Sequence, residues 1–401
     1  MTLSIRPKPY SLPSYSLTGD LLGFLRCGLQ YRYTRIGRLP PSKPLQLWFG
    51  EFIHGVLEEA FRRYKESVLQ GDAKLPPWSA ELVEEIRTLI KQRLAARGLR
   101  PWEQELESLG DRRAEAAIQE LGPHLFPLIH KAEVRLHGAR DLPAIADDLK
   151  FREADRYEMV GVVDVVTHVQ LDDPAHAENL LVRLVKGELR RQGLELPNAF
   201  EIIIDYKGMR RPSVKGTGKG SLWEQYEWQI QTYAELRRKQ ADALPVAAGV
   251  LLYVNELAPT ASDLALLKQE LKDGSTDIPP ADGSEAAERL KSWSRGSDLP
   301  ELPIDFRLAR AIRVVPVTEL SVPAALRQFD QVVQRIETCR GKEASGSTVI
   351  EAWERNHHEE QTCVVCDSRT FCPDYQTHYA ARHGERKPRV PAVRPKPSPG
   401  D

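Results

Sequence analysis

The stretch that most limits what this chain can fold into is Glu201-Ile-Ile-Ile-Asp-Tyr-Lys-Gly208. Its apolar run reads as a buried strand, yet it ends abruptly in an acid, an aromatic and a base. Alternate residues of a strand share a face, so Asp205 and Lys207 meet on one side while Tyr206 points away. A second strand signal, Tyr157 to Gln170, encloses a single acid, Asp164, in Gly-Val-Val-Asp-Val-Val. A lone buried carboxylate is costly unless it is paired or binds a cation. Two acids converging beside a lysine can hold a hard divalent cation through oxygen, as Mg2+ or Mn2+ prefers. The lysine can then orient or deprotonate a water for attack at phosphorus. Taken alone, Asp-x-Lys also fits a surface ion pair on an edge strand.

Composition sets bounds on partners. With 401 residues, 41% hydrophobic and 28% charged, the chain has ordinary globular composition and room for two or three domains. Its 56 basic and 57 acidic residues nearly cancel, so no global field recruits nucleic acid, and a polyanion site must be a local patch. The first residues lack an apolar signal-peptide core, and the longest apolar run, Val246 to Val254, is too short to span a bilayer. These features predict a cytoplasmic protein with no membrane partner. Five cysteines without secretory context argue for metal or catalytic use rather than a disulfide framework.

Periodicity predicts helices over Leu45 to Ser67, Ser79 to Ala96, Trp102 to Ile129, Leu222 to Gln240 and Val322 to Arg340. Strands are expected at Ala132 to Leu136, Tyr157 to Gln170, Ile202 to Tyr206, Val246 to Val254 and Arg307 to Val317. Residues 272–303, rich in Gly, Ser, Pro and Asp, read as a surface excursion, and the basic, proline-rich tail after His383 as disordered. No internal repeat is visible. Gly216 to Gly220 (GTGKG) lacks the spacing and the hydroxyl residue of a phosphate-binding P-loop, so no ATPase is predicted.

Further positions follow in order along the chain. His54 lies on the first helix, where a neutral imidazole can ligate metal. Gln229 and Tyr233, at i and i+4, share one helix face. The ordered set His54, Asp164, Asp205-x-Lys207 and Gln229-x3-Tyr233 resembles the RecB-like branch of the PD-(D/E)XK nuclease superfamily, over about Ser14 to Tyr375. The resemblance implies a restriction-endonuclease-like α/β core, a mixed central sheet flanked by helices. It implies that His54, Asp164, Asp205 and the backbone carbonyl of Tyr206 bind Mg2+ or Mn2+, that Lys207 activates the water, and that Gln229 and Tyr233 position the lysine and the DNA. Glu133 matches a family acid of lesser weight. Asp164 and Asp205 are 41 positions apart, so residues 171–200 must be an insertion between adjacent strands.

Cys363, Cys366 and Cys372 form C-x2-C-x5-C, with Cys27 far upstream. Four thiolates can bind a [4Fe-4S] cluster or a tetrahedral Zn2+. One distant cysteine plus a late triplet resembles the iron-sulfur nucleases of the AddB type and the CRISPR-associated adaptation nucleases, so the cluster is favoured, as a clamp joining the chain ends. Cys339 is expected to be a buried free thiol. Arg210, Arg211, Lys215 and Lys219 follow Lys207 closely and are expected to guide the DNA backbone. The expected division is an N-terminal segment at 1–71, a helical insertion at 72–130, a nuclease core at 131–340, a cysteine module at 341–380 and a tail at 381–401. The expected activity is metal-dependent hydrolysis of DNA, single-stranded or with single-stranded ends, alongside a separate helicase. A catalytically inactive DNA-binding scaffold and an RNA-directed nuclease are the alternatives.

Overall fold

The computed structural model describes residues 12–40, 42, 47–69, 78–145, 149, 154–214, 222–356 and 358–383. Lys215, Lys219, the segment 216–220 and the tail beyond 383 lie outside them. The chain divides into two compact units, one drawn from residues 1–42, 140–158 and 328–401, the other from 43–139 and 159–327.

The strands are β1 (Ser14–Ser16), β2 (Ile129–Asp141), β3 (Arg156–Thr167), β4 (Val169–Gln170), β5 (Ala199–Lys207), β6 (Val246–Tyr253) and β7 (Ile312–Pro316). In the second unit the order is β3-β5-β6-β7, with β2 on β3 and β4 on β5. β5 and β6 run parallel, while β3–β5 and β6–β7 are antiparallel, so the sheet is mixed. β5 lies inside this order, which is why Phe200 to Tyr206 are all buried and Ile202 to Ile204 read as an unbroken apolar run. Val165 faces Ile204 and Val166 faces Ile203, so β3 and β5 are neighbours despite the long gap between them. Much of that gap is helix α4 (Leu180–Arg191), capped by the Asn179 side chain and burying Leu181, Val182, Val185 and Leu189 on one stripe.

Helix α1 (Leu47–Leu69) buries Phe49, Phe52, Ile53, Val56, Leu57 and Ala60 in the core of this unit, each large side chain contributing about 1.5–3 kcal/mol. Helices α2 (Ala80–Ala96) and α3 (Gln104–Ala116) pack against it. Helix α5 (Leu222–Arg238) lies close on the sheet because two glycines admit it. A Cβ at Gly249 of β6 would stand 2.3 Å from Ile230, and one at Gly161 of β3 would stand 2.8 Å from the Tyr233 ring.

Some expected elements change. The helix foreseen over Trp102 to Ile129 is helical from Gln104 to Leu128 but changes type along its length, with α3 ending at Ala116. A wider π turn at 117–121 and short turns holding Pro123 and Pro127 follow, and Ile129 already begins β2. Residues 272–303 hold a helix, α7 (Glu285–Ser292), with Ser284 as its cap, after α6 (Ala261–Asp273). The strand foreseen over Arg307 to Val317 is instead α8 (Ile304–Ala311) followed by β7. Buried Leu308, Ala311 and Ile312 recur at helical spacing, a period that the valines after them mask.

In the first unit, β1 meets the start of β3 through Glu158 N–H donating to the Pro13 carbonyl at 2.8 Å. The long helix α9 (Ser321–Ala344) contributes its later turns here. Tyr157 stacks on Phe329 at 6.0 Å and donates to Asp330, while Arg32 forks onto Glu343. Cys339 is a buried free thiol, as expected.

At the start of β5, fully buried Glu201 accepts two hydrogen bonds of 2.7 Å from the equally buried Arg237, and one from Leu244 N–H. Removing one partner of such a pair strands a charge in the core. Arg237→Met should therefore lower unfolding free energy by about 3–5 kcal/mol, read from the urea midpoint by circular dichroism.

Candidate metal centre and active site

The other end of β5 carries the charges that the sequence singled out. Continuing the β3–β5 register one step sets Asp164 across from Asp205. The Asp164 carboxylate accepts the Tyr206 N–H at 2.7 Å through Oδ2, and its Oδ1 lies 3.4 Å from His54 Nδ1 on α1. The His54 ring stands edge-on to Tyr206, at 5.4 Å between centroids. Glu133 of β2 completes a group: His54, Glu133 and Asp164 each offer a ligand atom, all within 4.8 Å of one another. A small divalent ion bound at about 2.0–2.1 Å spaces its ligands roughly 3–4 Å apart, so this group fits one with slight adjustment.

Glu133 owes its place to an unusual backbone. Its φ is +50°, the left-handed region that glycine favours. Such a conformation costs on the order of 1–3 kcal/mol in a non-glycine residue and persists only where its surroundings demand it. The sequence reading gave Glu133 lesser weight; the structure makes it a full member of the group. No local signal marks the twist, because glutamate is not a turn residue.

Asp205 and Lys207 do share a face. Lys207 Nζ lies 2.5 Å from Asp205 Oδ2, donates to Gln229 Oε1 at 2.8 Å, and sits 4.1 Å above the Tyr226 ring. Gln229 Nε2 donates to Asp205 Oδ1 at 2.9 Å and to the Tyr233 hydroxyl at 3.1 Å. Tyr233, Gln229, Asp205 and Lys207 thus form one chain of contacts. Asp205 stands beside the three-ligand group rather than within it. Tyr226 was missed, although it lies three positions before Gln229 on the same helix face.

The electrostatics follow from crowding. Burial pushes the Asp205 carboxyl up to about 6; Lys207 pulls against this and the Asp164 charge adds to it. Burial disfavours a charged His54, but the Asp164 hydrogen bond and the carboxylates of Asp164, Asp205 and Glu133 outweigh it and raise the imidazole to about 9. Burial, then Asp164, raises the Glu133 carboxyl. Three carboxylates against one ammonium leave an excess of negative charge that a proton on His54 partly offsets.

The basic-loop expectation is corrected in part. Arg210 forks onto Glu270 of α6 at 2.5 and 2.8 Å. Arg211 is buried, paired with Asp277, donating to the carbonyls of Arg310 and Ile312, and giving its backbone N–H to Glu256. These guanidiniums are committed to the fold. Breaking a buried pair costs about 3–5 kcal/mol, which ties buried Arg211 to the fold, while half-buried Arg210 is held by Glu270.

In the first unit, Cys27, Cys363, Cys366 and Cys372 line one cavity with Arg355, Asn356 and Tyr375. Burial, and then the other three sulfurs, push the Cys363 thiol up to about 11. Among the described residues no three thiols come within 4.8 Å of one another. Tetrahedral zinc, with Zn–S near 2.3 Å, holds its sulfurs about 3.8 Å apart, a closer set than this one.

A family model described as the PD-(D/E)XK nuclease superfamily matches residues 19–173. That span carries His54, Glu133 and Asp164 and ends before Asp205 and Lys207. No curated protein matches the chain. Among the described residues no helix is long and apolar enough to cross a membrane.

Because a ligating imidazole must be neutral, cation binding at pH 7 must displace the His54 proton. Calorimetric titration with Mn2+ in buffers of different ionisation enthalpy should show about one proton released per ion at pH 7. Affinity should rise with pH up to about 9, where the metal-free imidazole loses its proton by itself. His54→Ala should abolish the proton release.

Proposed function

We propose that this chain is a metal-dependent nuclease hydrolysing DNA phosphodiester bonds, acting on single strands or single-stranded ends. The observation that carries the reading is an oriented ammonium, Lys207, fixed by Asp205 and Gln229 beside the group of His54, Glu133 and Asp164. The match of residues 19–173 to a nuclease superfamily points the same way. His54, Glu133 and Asp164 would hold a Mg2+ or Mn2+, with Asp205 and the Tyr206 carbonyl beside them to complete the set, and the ion would supply positive charge for the phosphodiester and for the negative charge that grows as it is cleaved.

The side chains do the rest. Lys207 Nζ, held on two sides by oxygen acceptors, points a donor at the attacking water. Asp205 keeps that ammonium charged and placed. Gln229, held in turn by the Tyr233 hydroxyl, fixes both. The Tyr226 ring covers Lys207 and limits its motion, a cation–π contact contributing about 0.5–2 kcal/mol.

Purified protein should cleave single-stranded DNA with Mg2+ or Mn2+ and stay inactive with a chelator. Asp205→Asn and Lys207→Ala should each reduce kcat by at least about 100-fold with unchanged circular dichroism. Cleavage at the wild-type rate in either variant removes the mechanism. RNA and blunt duplex, assayed in parallel, test the substrate class.

The same reading assigns Cys27, Cys363, Cys366 and Cys372 to a [4Fe-4S] cluster, supported by the one cavity that all four line and by their spacing, one distant cysteine and a late C-x2-C-x5-C. The protein should be brown and contain about four irons per chain. Cys366→Ser should lose the colour and lower the melting temperature, whereas a colourless protein holding zinc would overturn the assignment. Work beside a separate helicase in DNA repair, recombination or antiphage defence completes the reading.

A further inference from the structure

A cavity of about 650 Å3 opens between α1 and α2, lined by Leu47, Glu51, His54, Glu58 and Glu133 on one side and Ile90, Arg93, Leu94 and Arg97 on the other. Its walls are two helix faces. Glu51, His54, Gly55 and Glu58 recur at i, i+3, i+4 and i+7 on α1, and Ile90, Arg93, Leu94 and Arg97 do so from α2. One wall therefore holds a metal-site residue and the other presents two guanidiniums over an apolar strip. The space beside Gly50 at the entrance is open, since a Cβ there would meet nothing within 4 Å.

These guanidiniums differ from Arg210 and Arg211 in being loosely committed. Arg93 is 57% exposed and, among the described residues, reaches Glu59 alone, at 3.5 Å. Glu59 already takes Arg62 and Arg63, so Arg93 is a third cation on a satisfied carboxylate. Arg97, 61% exposed, pairs with half-exposed Glu51 at 2.9 Å. The exposed Arg97–Glu51 pair is worth about 0.2–1 kcal/mol, and buried Glu59 keeps Arg62 and Arg63 if Arg93 leaves it, so a phosphate can take over either guanidinium at little cost. The volume lies within the roughly 300–1,000 Å3 that encloses a small ligand, enough for about one or two nucleotides and far too little for a duplex.

We propose that this cavity is the subsite for the single DNA strand flanking the scissile phosphate, with Arg93 and Arg97 as positioning residues for its backbone and Leu47, Ile90 and Leu94 against sugar and base. The proposal rests on the nuclease reading and deepens it. Glu51 and Glu58 then act as a negative edge that discourages the strand from settling on the metal-ligand face of α1 away from the cation.

The test is binding, measured apart from cleavage. Fluorescence anisotropy with a short labelled single-stranded oligonucleotide, with Ca2+ replacing Mg2+, gives affinity against salt concentration. Each phosphate contact on a single strand contributes about 0.7 to the slope of log K against log salt. Arg93→Gln/Arg97→Gln should reduce that slope by about 1.4 and raise KM more than it lowers kcat, whereas Arg93→Lys/Arg97→Lys should restore the slope. A blunt duplex should compete poorly. An unchanged slope in the double glutamine variant, or a duplex that competes as well as the single strand, overturns the subsite. If the wild type cleaves while the slope stays unchanged, the subsite fails and the nuclease reading survives; if the slope falls as stated but nothing is cleaved, the nuclease reading fails and the cavity remains only a binding site for a single strand.

Discussion

Everything at the candidate site depends on Asp205 being buried at the end of a central strand with Lys207 two residues on. A carboxylate at that depth loses the solvation that would keep it charged, and its rise to about 6 records the cost even after Lys207 has compensated part of it. Asp164, across the strand gap, adds a second charge that the lysine does not reach. The chain answers with the Tyr206 N–H and the His54 ring, and leaves the remainder to whatever cation can enter. β5 shows the alternative at its other end. Glu201 is as deeply buried as Asp205, but Arg237 and Leu244 N–H surround it. Glu201 is met by a guanidinium that touches no second acid of the site, whereas the Lys207 ammonium and Gln229 that meet Asp205 stand beside the carboxylates of Asp164 and Glu133.

The same contrast explains which parts of the site were legible in the sequence. β5 announced itself because three isoleucines in a covered strand leave Asp205 and Lys207 no bland role. Asp164 was legible as the only charge within a valine run, and the long gap after it was correctly read as an insertion, since helix α4 carries its own cap and its own buried stripe. The strand lost to α8 shows the limit of short apolar runs, where helical and extended spacing overlap over a few residues. Glu133 was underweighted because its contribution comes from a strained backbone that no residue type advertises. Tyr226 was missed because an aromatic on a helix gives the same signal whether it covers a lysine or fills a core.

The basic loop failed for a more general reason. Arg210 and Arg211 looked free because sequence lists only neighbours along the chain, and their acids, Glu270 and Asp277, come from some sixty residues further on. A run of like charge is informative only once its partners are known. Arg93 and Arg97 gave no such signal, spaced as they are along an ordinary amphipathic helix, yet theirs are the guanidiniums that share a cavity with His54 and Glu133.

A net charge of −1 puts this in proportion. A nuclease with a strongly positive surface would gather nucleic acid everywhere, and most of that binding would be unproductive. Here the two exposed arginines of the cavity, Arg93 and Arg97, are partnered by Glu59 and Glu51, so on the proposed reading they attract a polyanion weakly until a strand lies where those pairs can be exchanged for phosphate. Exchange of a surface pair costs little; exchange of a buried one costs several kcal/mol. Burial of each ion pair, rather than the count of basic residues, therefore decides which face of the protein can receive a substrate.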